Sequence, residues 1–219
     1  MSAHLEITDD IAILNLGEDE NRFSPEWLET VNGFLDRVES GEAKALVTTG
    51  DGKFYSNGLD LDWLGSHSDL GDWYVDQVQQ LLARVLVAPV PTVAAVNGHA
   101  FGAGSMLGMA HDFRIMRADR GYYCFPEVDI HIPFTPGMAA LIQAKLTPAA
   151  AIEAMTTGRR YGGADAETIG LVTATASEDK LTSTAVDLVA PLKGKDPGTL
   201  QAIKSTMFAS VIAALRVQA

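Results

Sequence analysis

A strand–glycine–helix unit at the centre of the chain constrains its fold more than any other feature. Residues 92–96, Thr-Val-Ala-Ala-Val, form an apolar run of strand length with the pattern of a fully buried strand. The stretch 97–104 brings in Gly98, Gly102 and Gly104, and residues 105–110 follow as a short apolar helix. Another strand is predicted at 113–116. Alternation of this kind leads to layered α/β architecture with a largely parallel sheet.

The flanking segments agree. Residues 5–8 and 11–16 read as two strands around Asp9-Asp10, a hairpin signal. Ser24-Pro25-Glu26 opens a helix with Leu28, Val31, Phe34, Leu35 and Val38 at helical spacing, ended by Gly41. Residues 45–49 form a strand, and Val75, Val78, Leu81, Leu82, Val85 and Leu86 mark a helix that stops before Pro89. Beyond Thr135 the signals are helical, at 138–146, 148–156, 178–189 and 198–217, as a cap or association surface. The division expected is a core over 1–190 and a short C-terminal helical segment over 191–219. There is no internal repeat and no Gly-, Pro- or Ser-rich linker.

Composition narrows the function. The 219 residues carry a formal net charge of −12, which disfavours phosphate backbones and argues against a nucleic-acid partner. An anionic ligand then needs local basic residues or backbone N–H groups. Cys124 is the only cysteine, so no internal disulfide forms, which fits a reducing cytosol. The first ten residues hold acids and no basic, apolar leader, and no apolar run has the length of a membrane span. The expectation is a soluble, cytoplasmic protein.

Three segments carry candidate chemistry. Phe54-Tyr55-Ser56-Asn57-Gly58-Leu59-Asp60-Leu61 leaves a strand, turns at Asn57-Gly58 and enters a helix near Asp60. Backbone N–H groups at such a turn can receive an oxyanion, although a plain strand-to-helix connection has the same pattern. The stretch from Val96 to Ser105 lets backbone approach a ligand at a helix start. It resembles a dinucleotide fingerprint, but Gly102, Gly104 and Gly108 are spaced one residue too widely. In Tyr122-Tyr123-Cys124-Phe125-Pro126-Glu127 the carboxyl of Glu127 lies among apolar neighbours. Desolvation there suits a carboxylate that takes and returns a proton; a turn cap or an arginine partner is the alternative.

Other candidates fail. His4, His67, His99, His111 and His131 lack metal-ligand spacing, so no metal site is assigned, and His99 and His111 are read as structural. Ser105 misses the nucleophile-elbow register because residue 103 is Ala. Met106, Leu107 and Met109 read as helix core.

In this order the three segments resemble the crotonase (enoyl-CoA hydratase/isomerase) superfamily over roughly residues 5–215. Residues 54–61 are similar to its first oxyanion loop, F-x-A-G-x-D-L, and residues 91–112 to its second, P-x-I-A-A-V-x-G-x-A-x-G-G-G. Asn21-Arg22-Phe23-Ser24-Pro25 falls where the family has N-A-L-S-P, beside the coenzyme A site. The resemblance implies a crotonase-like ββα spiral with a shortened C-terminal helical region. It also implies an acyl-CoA thioester substrate, no cofactor beyond that coenzyme A, and a homotrimer or a pair of trimers.

Carried over by position, the Leu59 and Ala103 N–H groups become the oxyanion donors, each worth roughly 3 kcal/mol of barrier. Ser56, Asn57, Gly58, Asp60, Leu61 and Gly102 shape the hole and its substrate contacts, with Phe23 beside them. Arg22 and Lys53 are assigned to the coenzyme A phosphates. Family hydratases have a second glutamate where this chain has Met106, which accepts no proton. The resemblance therefore implies Δ3,Δ2-enoyl-CoA isomerisation with Glu127 alone. The alternatives are a hydratase or other enolate-forming enzyme on a specialised acyl-CoA, and a catalytically silent acyl-CoA-binding protein. Phe125, Ile132, Phe134 and Met138 are candidates for the acyl channel, Asp129 is either a second acid or structural, and the early stop after Lys204 predicts altered trimer geometry.

Overall fold

The computed structural model describes residues 2–216. Its strands, in chain order, are β1 (His4–Thr8), β2 (Ile11–Asn15), β3 (Ala45–Thr49), β4 (Phe54–Ser56), β5 (Thr92–Val96), β6 (His99–Phe101), β7 (Phe113–Arg117), β8 (Tyr123–Cys124) and β9 (Ala174–Ala176). They form two sheets, β1-β2-β3-β5-β7-β9 and β4-β6-β8. All pairings are parallel except β1–β2. The β1–β2 hairpin turns at Asp9 and Asp10, whose φ values of 51° and 64° suit a two-residue turn with both central residues left-handed.

The winding has a repeat. β3 is followed by β4, β5 by β6 and β7 by β8, so each turn adds a strand to both sheets before a helix returns the chain. This is the ββα spiral. In β3, Ala45 and Val47 face one apolar cluster and Leu46 the other, the period-two pattern of a strand buried on both sides.

The helices are α1 (Pro25–Arg37), α2 (Leu61–Ser66), α3 (Gly71–Leu86), α4 (Ala103–Ala110), α5 (Glu127–Ile130), α6 (Pro136–Lys145), α7 (Pro148–Thr157), α8 (Gly163–Thr168), α9 (Leu181–Val189), α10 (Pro197–Met207) and α11 (Ala209–Leu215). Ser24 caps α1 by accepting from the Trp27 N–H, with Pro25 in the first turn. Every residue of α4 is buried, which accounts for the absence of charged residues from it. α9 covers the outer face of the large sheet through Leu181, Ala185 and Val189.

Three expectations need correction. The glycine-rich stretch 97–104 holds a strand, β6, and α4 starts at Ala103 rather than Ser105. Glu127 begins a short helix, so Asp129 does not share an extended face with it. The helix predicted over 198–217 is two helices bent by 77° at Phe208, and its predicted end at Val217 lies outside the described residues, as do Met1 and the last residues of the segment 191–219. Among the described residues no single helix is long and apolar enough to cross a membrane.

α11 packs on α6 and α3. Lys204 on α10 is 4% exposed and donates to the Val90 carbonyl at 2.9 Å and to Asp112 at 2.6 Å. That buried pair fastens the C-terminal helices to the strand–helix unit of the centre.

Candidate active site

The three strands of the small sheet run parallel, so their carboxyl ends lie side by side. β4 leads into residues 57–60 and α2, β6 into Gly102 and α4, and β8 into Phe125-Pro126 and α5. The carboxyl edge of a parallel sheet is where loops converge and ligands bind. Each of the three segments singled out in the sequence arrives at this edge.

The first loop meets the second backbone to backbone. Gly58 has φ 79°, and a Cβ there would stand 2.7 Å from the Phe101 carbonyl oxygen and 2.8 Å from the Ala103 nitrogen. Only glycine allows that approach. The strap 20–23 holds the loop in place: Phe23 N–H donates to Gly58 O at 2.9 Å and Asn57 N–H to Glu20 O at 2.8 Å. Ser56 Oγ donates to Asn21 O at 2.7 Å and accepts from Gly58 N–H at 3.0 Å. The Tyr74 hydroxyl donates to Phe23 O and accepts from Asp60 N–H, each at 2.8 Å.

Gly102, with φ 53° and ψ −123°, turns the chain from β6 into α4, a conformation open essentially to glycine. Among the described residues neither the Leu59 N–H nor the Ala103 N–H donates to a protein acceptor. Both residues line one cavity of about 400 Å³. Ala103 is the first residue of α4, so its N–H lies at the positive end of that helix's dipole. Ser105 lies deeper, with its hydroxyl donating to Ala100 O at 2.6 Å and Cys124 O at 2.9 Å. It ties β6 to β8 and is no nucleophile in reserve.

Glu127 lines the same cavity and is 7% exposed. Its Oε1 lies 3.5 Å from where a Gly102 Cβ would stand, and its Oε2 is buried with no hydrogen-bond partner. Burial pushes its pKa up to about 7, against a smaller lowering by a backbone hydrogen bond. The α5 end is held by N–H groups of His131 and Ile132 donating to Glu127 O. His131 takes the left-handed conformation there, at φ 61° and ψ 31°.

Asn57, Leu59, Leu61, Gly102, Ala103, Glu127 and Arg22 come together on the cavity wall. Arg22 is already engaged, at 2.5 Å from both Glu20 and Asp62 and 3.8 Å from Asp60. Other predicted contacts lie elsewhere. Phe23 is fully buried and stacks on Trp27 at 4.6 Å between ring centroids, so it orders the strap rather than meeting a ligand. Lys53 lies over the Phe54 ring and off the cavity wall. Ser56 is buried beneath the loop, and Asp60 caps α2 by accepting from Trp63 N–H at 3.1 Å. Of the acyl-channel candidates only Ile132 lines the cavity, whereas Phe125 and Met138 are core. Met106 is core too, 1% exposed and off the cavity wall.

Asp129 lines the cavity, but its carboxylate packs into the space left by the missing Cβ of Gly158. His111 is fully buried between Thr48 Oγ1 at 3.0 Å and Leu107 O at 2.8 Å, and burial lowers its pKa to about 3. It is a neutral structural group. Among the described residues no group of three or more His, Cys, Asp and Glu side chains is placed to hold a metal ion.

Phe101, Cys124, Pro126, Asp62 and Arg160 also line the cavity and escaped the sequence reading. Phe101 and Cys124 end β6 and β8, immediately before recognised turns, so strand ends were the available signal. Arg160 had none. It arrives because Tyr161 bridges Tyr123, with reciprocal N–H to carbonyl bonds of 2.9 Å and 3.0 Å.

Comparison with known proteins places this geometry. The profile of the family described as Enoyl-CoA hydratase/isomerase matches residues 6–219. Enoyl-CoA delta isomerase 3 of Arabidopsis thaliana is 38% identical over 182 residues, covering 80% of this chain and 76% of that one. Enoyl-CoA delta isomerase 2, peroxisomal, of the same plant is 36% identical over 203 residues, with 87% and 85% covered. A crystal structure of a probable enoyl-CoA hydratase from Mycobacterium tuberculosis superimposes with a TM-score of 0.92 at 24% identity, covering 100% of this chain and 93% of that one.

Proposed function

This chain belongs to the enoyl-CoA hydratase/isomerase family, and from that premise we propose that it is a Δ3,Δ2-enoyl-CoA isomerase with Glu127 as its proton shuttle. The observation that carries the reading is the Glu127 carboxylate: buried, unpartnered at Oε2, and beside two unused backbone donors. A 3-enoyl thioester enters with its carbonyl oxygen toward the Leu59 and Ala103 N–H groups. Glu127 takes a proton from C2, and the electron pair moves through C1 onto the oxygen, giving a dienolate. The two N–H groups hold that charge. Glu127 then returns the proton to C4, the C3–C4 double bond moves to C2–C3, and the carboxylate is restored.

A pKa near 7 favours both halves of the cycle, because the same group must accept and release a proton. Hydration would require a second proton-bearing group, and residue 106 is a methionine. Of the other acids on the wall, Asp62 is committed to Arg22 and Asp129 is packed on Gly158. The same reading carries coenzyme A as part of the substrate, no separate cofactor, and a homotrimer or a pair of trimers.

The test is to mix purified protein with a 3-enoyl-CoA and follow formation of the conjugated 2-enoyl thioester by absorbance. Equal rates for the wild type and Glu127→Gln would reject the assignment. Faster formation of 3-hydroxyacyl-CoA from 2-enoyl-CoA would move it to hydration, and tight binding without turnover to a silent acyl-CoA-binding protein.

A further inference from the structure

Arg160 forms part of the cavity wall, yet proton movement by Glu127 gives it nothing to do. In a chain of net charge −12 an arginine usually finds an acid. Arg159 next to it binds Glu153 at 2.7 Å and Asp165 at 2.8 Å, and Arg22, also on the cavity wall, binds Glu20 and Asp62. Among the described residues Arg160 makes no ion pair. Its guanidinium lies 5.6 Å from the Phe101 ring centroid, and Phe101 directly precedes the Gly102-Ala103 corner of the oxyanion hole. A planar cation held against an aromatic face keeps its donor fork oriented and open to a planar anion.

The cavity wall draws on two sets of segments. Arg22, Asn57, Leu61 and Asp62 come from the first loop and its strap. Arg160, Cys124 and Asp129 come from the third small-sheet strand and the segments beside it. The Cys124 thiol lies within electrostatic reach of Arg160, Glu127 and Asp129 together. Glu127 and Arg160 thus share one cavity, with Cys124 within reach of both charges, so a chain whose C2 and C4 meet Glu127 has Arg160 on the same wall for its distal carbons.

We propose that Arg160 receives an anionic group at the far end of the acyl chain, which makes the substrates 3-enoyl thioesters whose chain terminates in a carboxylate. The inference rests on the isomerase reading and names its substrate class. A carboxylate accepts two parallel bonds from a guanidinium, and such charge-assisted contacts discriminate strongly against a chain that lacks the anion.

The experiment compares two CoA thioesters of equal chain length, 3-hexenoyl-CoA and the mono-CoA thioester of 3-hexenedioic acid, with wild type, Arg160→Met and Arg160→Gln. Wild type is expected to prefer the carboxylated chain by about tenfold or more in kcat/KM, the yield of one charge-assisted hydrogen bond. Both variants are expected to bring the ratio of the two substrates to about one. A wild type without preference overturns the proposal. So do variants that slow both substrates at an unchanged ratio, the result expected if Arg160 contacts a coenzyme A phosphate. Calorimetric binding of the saturated analogues adipyl-CoA and hexanoyl-CoA needs no turnover, so it decides the anchor even if no 3-enoyl-CoA is isomerised and the functional reading fails.

Discussion

Replacing Glu127 by glutamine should sharply lower the proposed isomerase activity and, at neutral pH and above, stabilise the protein. In the unfolded chain this carboxyl ionises near its ordinary value of 4.5, whereas in the folded protein it does so at about 7. A folded-state pKa raised in this way makes a stabilising contribution that is complete below the unfolded value. That contribution is lost as pH rises through about 7, because ionisation then costs more in the folded state. The interval corresponds to about 3 kcal/mol, present as a deficit of the wild type at about pH 8 and absent at about pH 4. Glutamine is neutral throughout and escapes it.

Urea unfolding of both proteins at those two pH values and one protein concentration reads the difference directly. On the proposed isomerase reading the same titration governs catalysis, because the carboxylate must be ionised to take the C2 proton. Wild-type kcat/KM should therefore rise roughly tenfold between about pH 6 and about pH 8 and then level off. The variant should lose activity by a factor of about 10² to 10⁴. A stability difference independent of pH would refute the claim that burial perturbs this carboxyl. Full activity in the variant would refute its role.

Three further perturbations follow from the geometry. Gly58→Ala places a Cβ against Phe101 O and Ala103 N at a φ of 79°; parting the two loops should lower kcat by about 10² to 10³ with a smaller effect on KM, measured by steady-state kinetics. His131→Gly relieves a left-handed non-glycine residue at the end of α5. It should gain up to about 1 kcal/mol, seen as a Tm rise of a few degrees, with activity retained. Lys204→Met strips the Val90 carbonyl of its donor and the Asp112 carboxylate of the one cation paired with it among the described residues, leaving Asp112 its Thr92 hydrogen bonds. A loss of about 3 kcal/mol is expected in urea unfolding, partly recovered on adding Asp112→Asn.

Local chemistry was legible in the residues themselves. The buried run at β5, the cap and proline that open α1, the turn at Asn57-Gly58 and the hairpin at Asp9-Asp10 each depend on a few adjacent side chains, and each stands in the structure where its pattern puts it. Short strands were not legible. β4, β6 and β8 have two or three residues each, too few to show a period, and they exist because each finds a parallel neighbour. The break at Phe208 was hidden for a related reason: the apolar pattern continues across it while packing on α3 and α6 redirects the chain.

The site divides in the same way. Gly58, Gly102 and Glu127 stand out in the sequence because close backbone approach and a carboxyl among apolar neighbours depend on residue type, whereas Leu59 and Ala103, proposed to act through backbone N–H groups, were named only by the family resemblance. Whether Arg22, Phe23 and Lys53 meet a ligand could not be read, since partners and burial are set by segments remote in sequence: acids claim Arg22, the core claims Phe23, and Lys53 lies off the cavity wall. Arg160 reaches the cavity only through the Tyr123–Tyr161 bridge. By itself the sequence determined which carboxyl lies among apolar neighbours and which glycines allow close backbone approach. The tertiary structure alone decided that they share one cavity and that Glu127 titrates near 7, because desolvation belongs to everything packed around a carboxyl and to no stretch of chain that contains it.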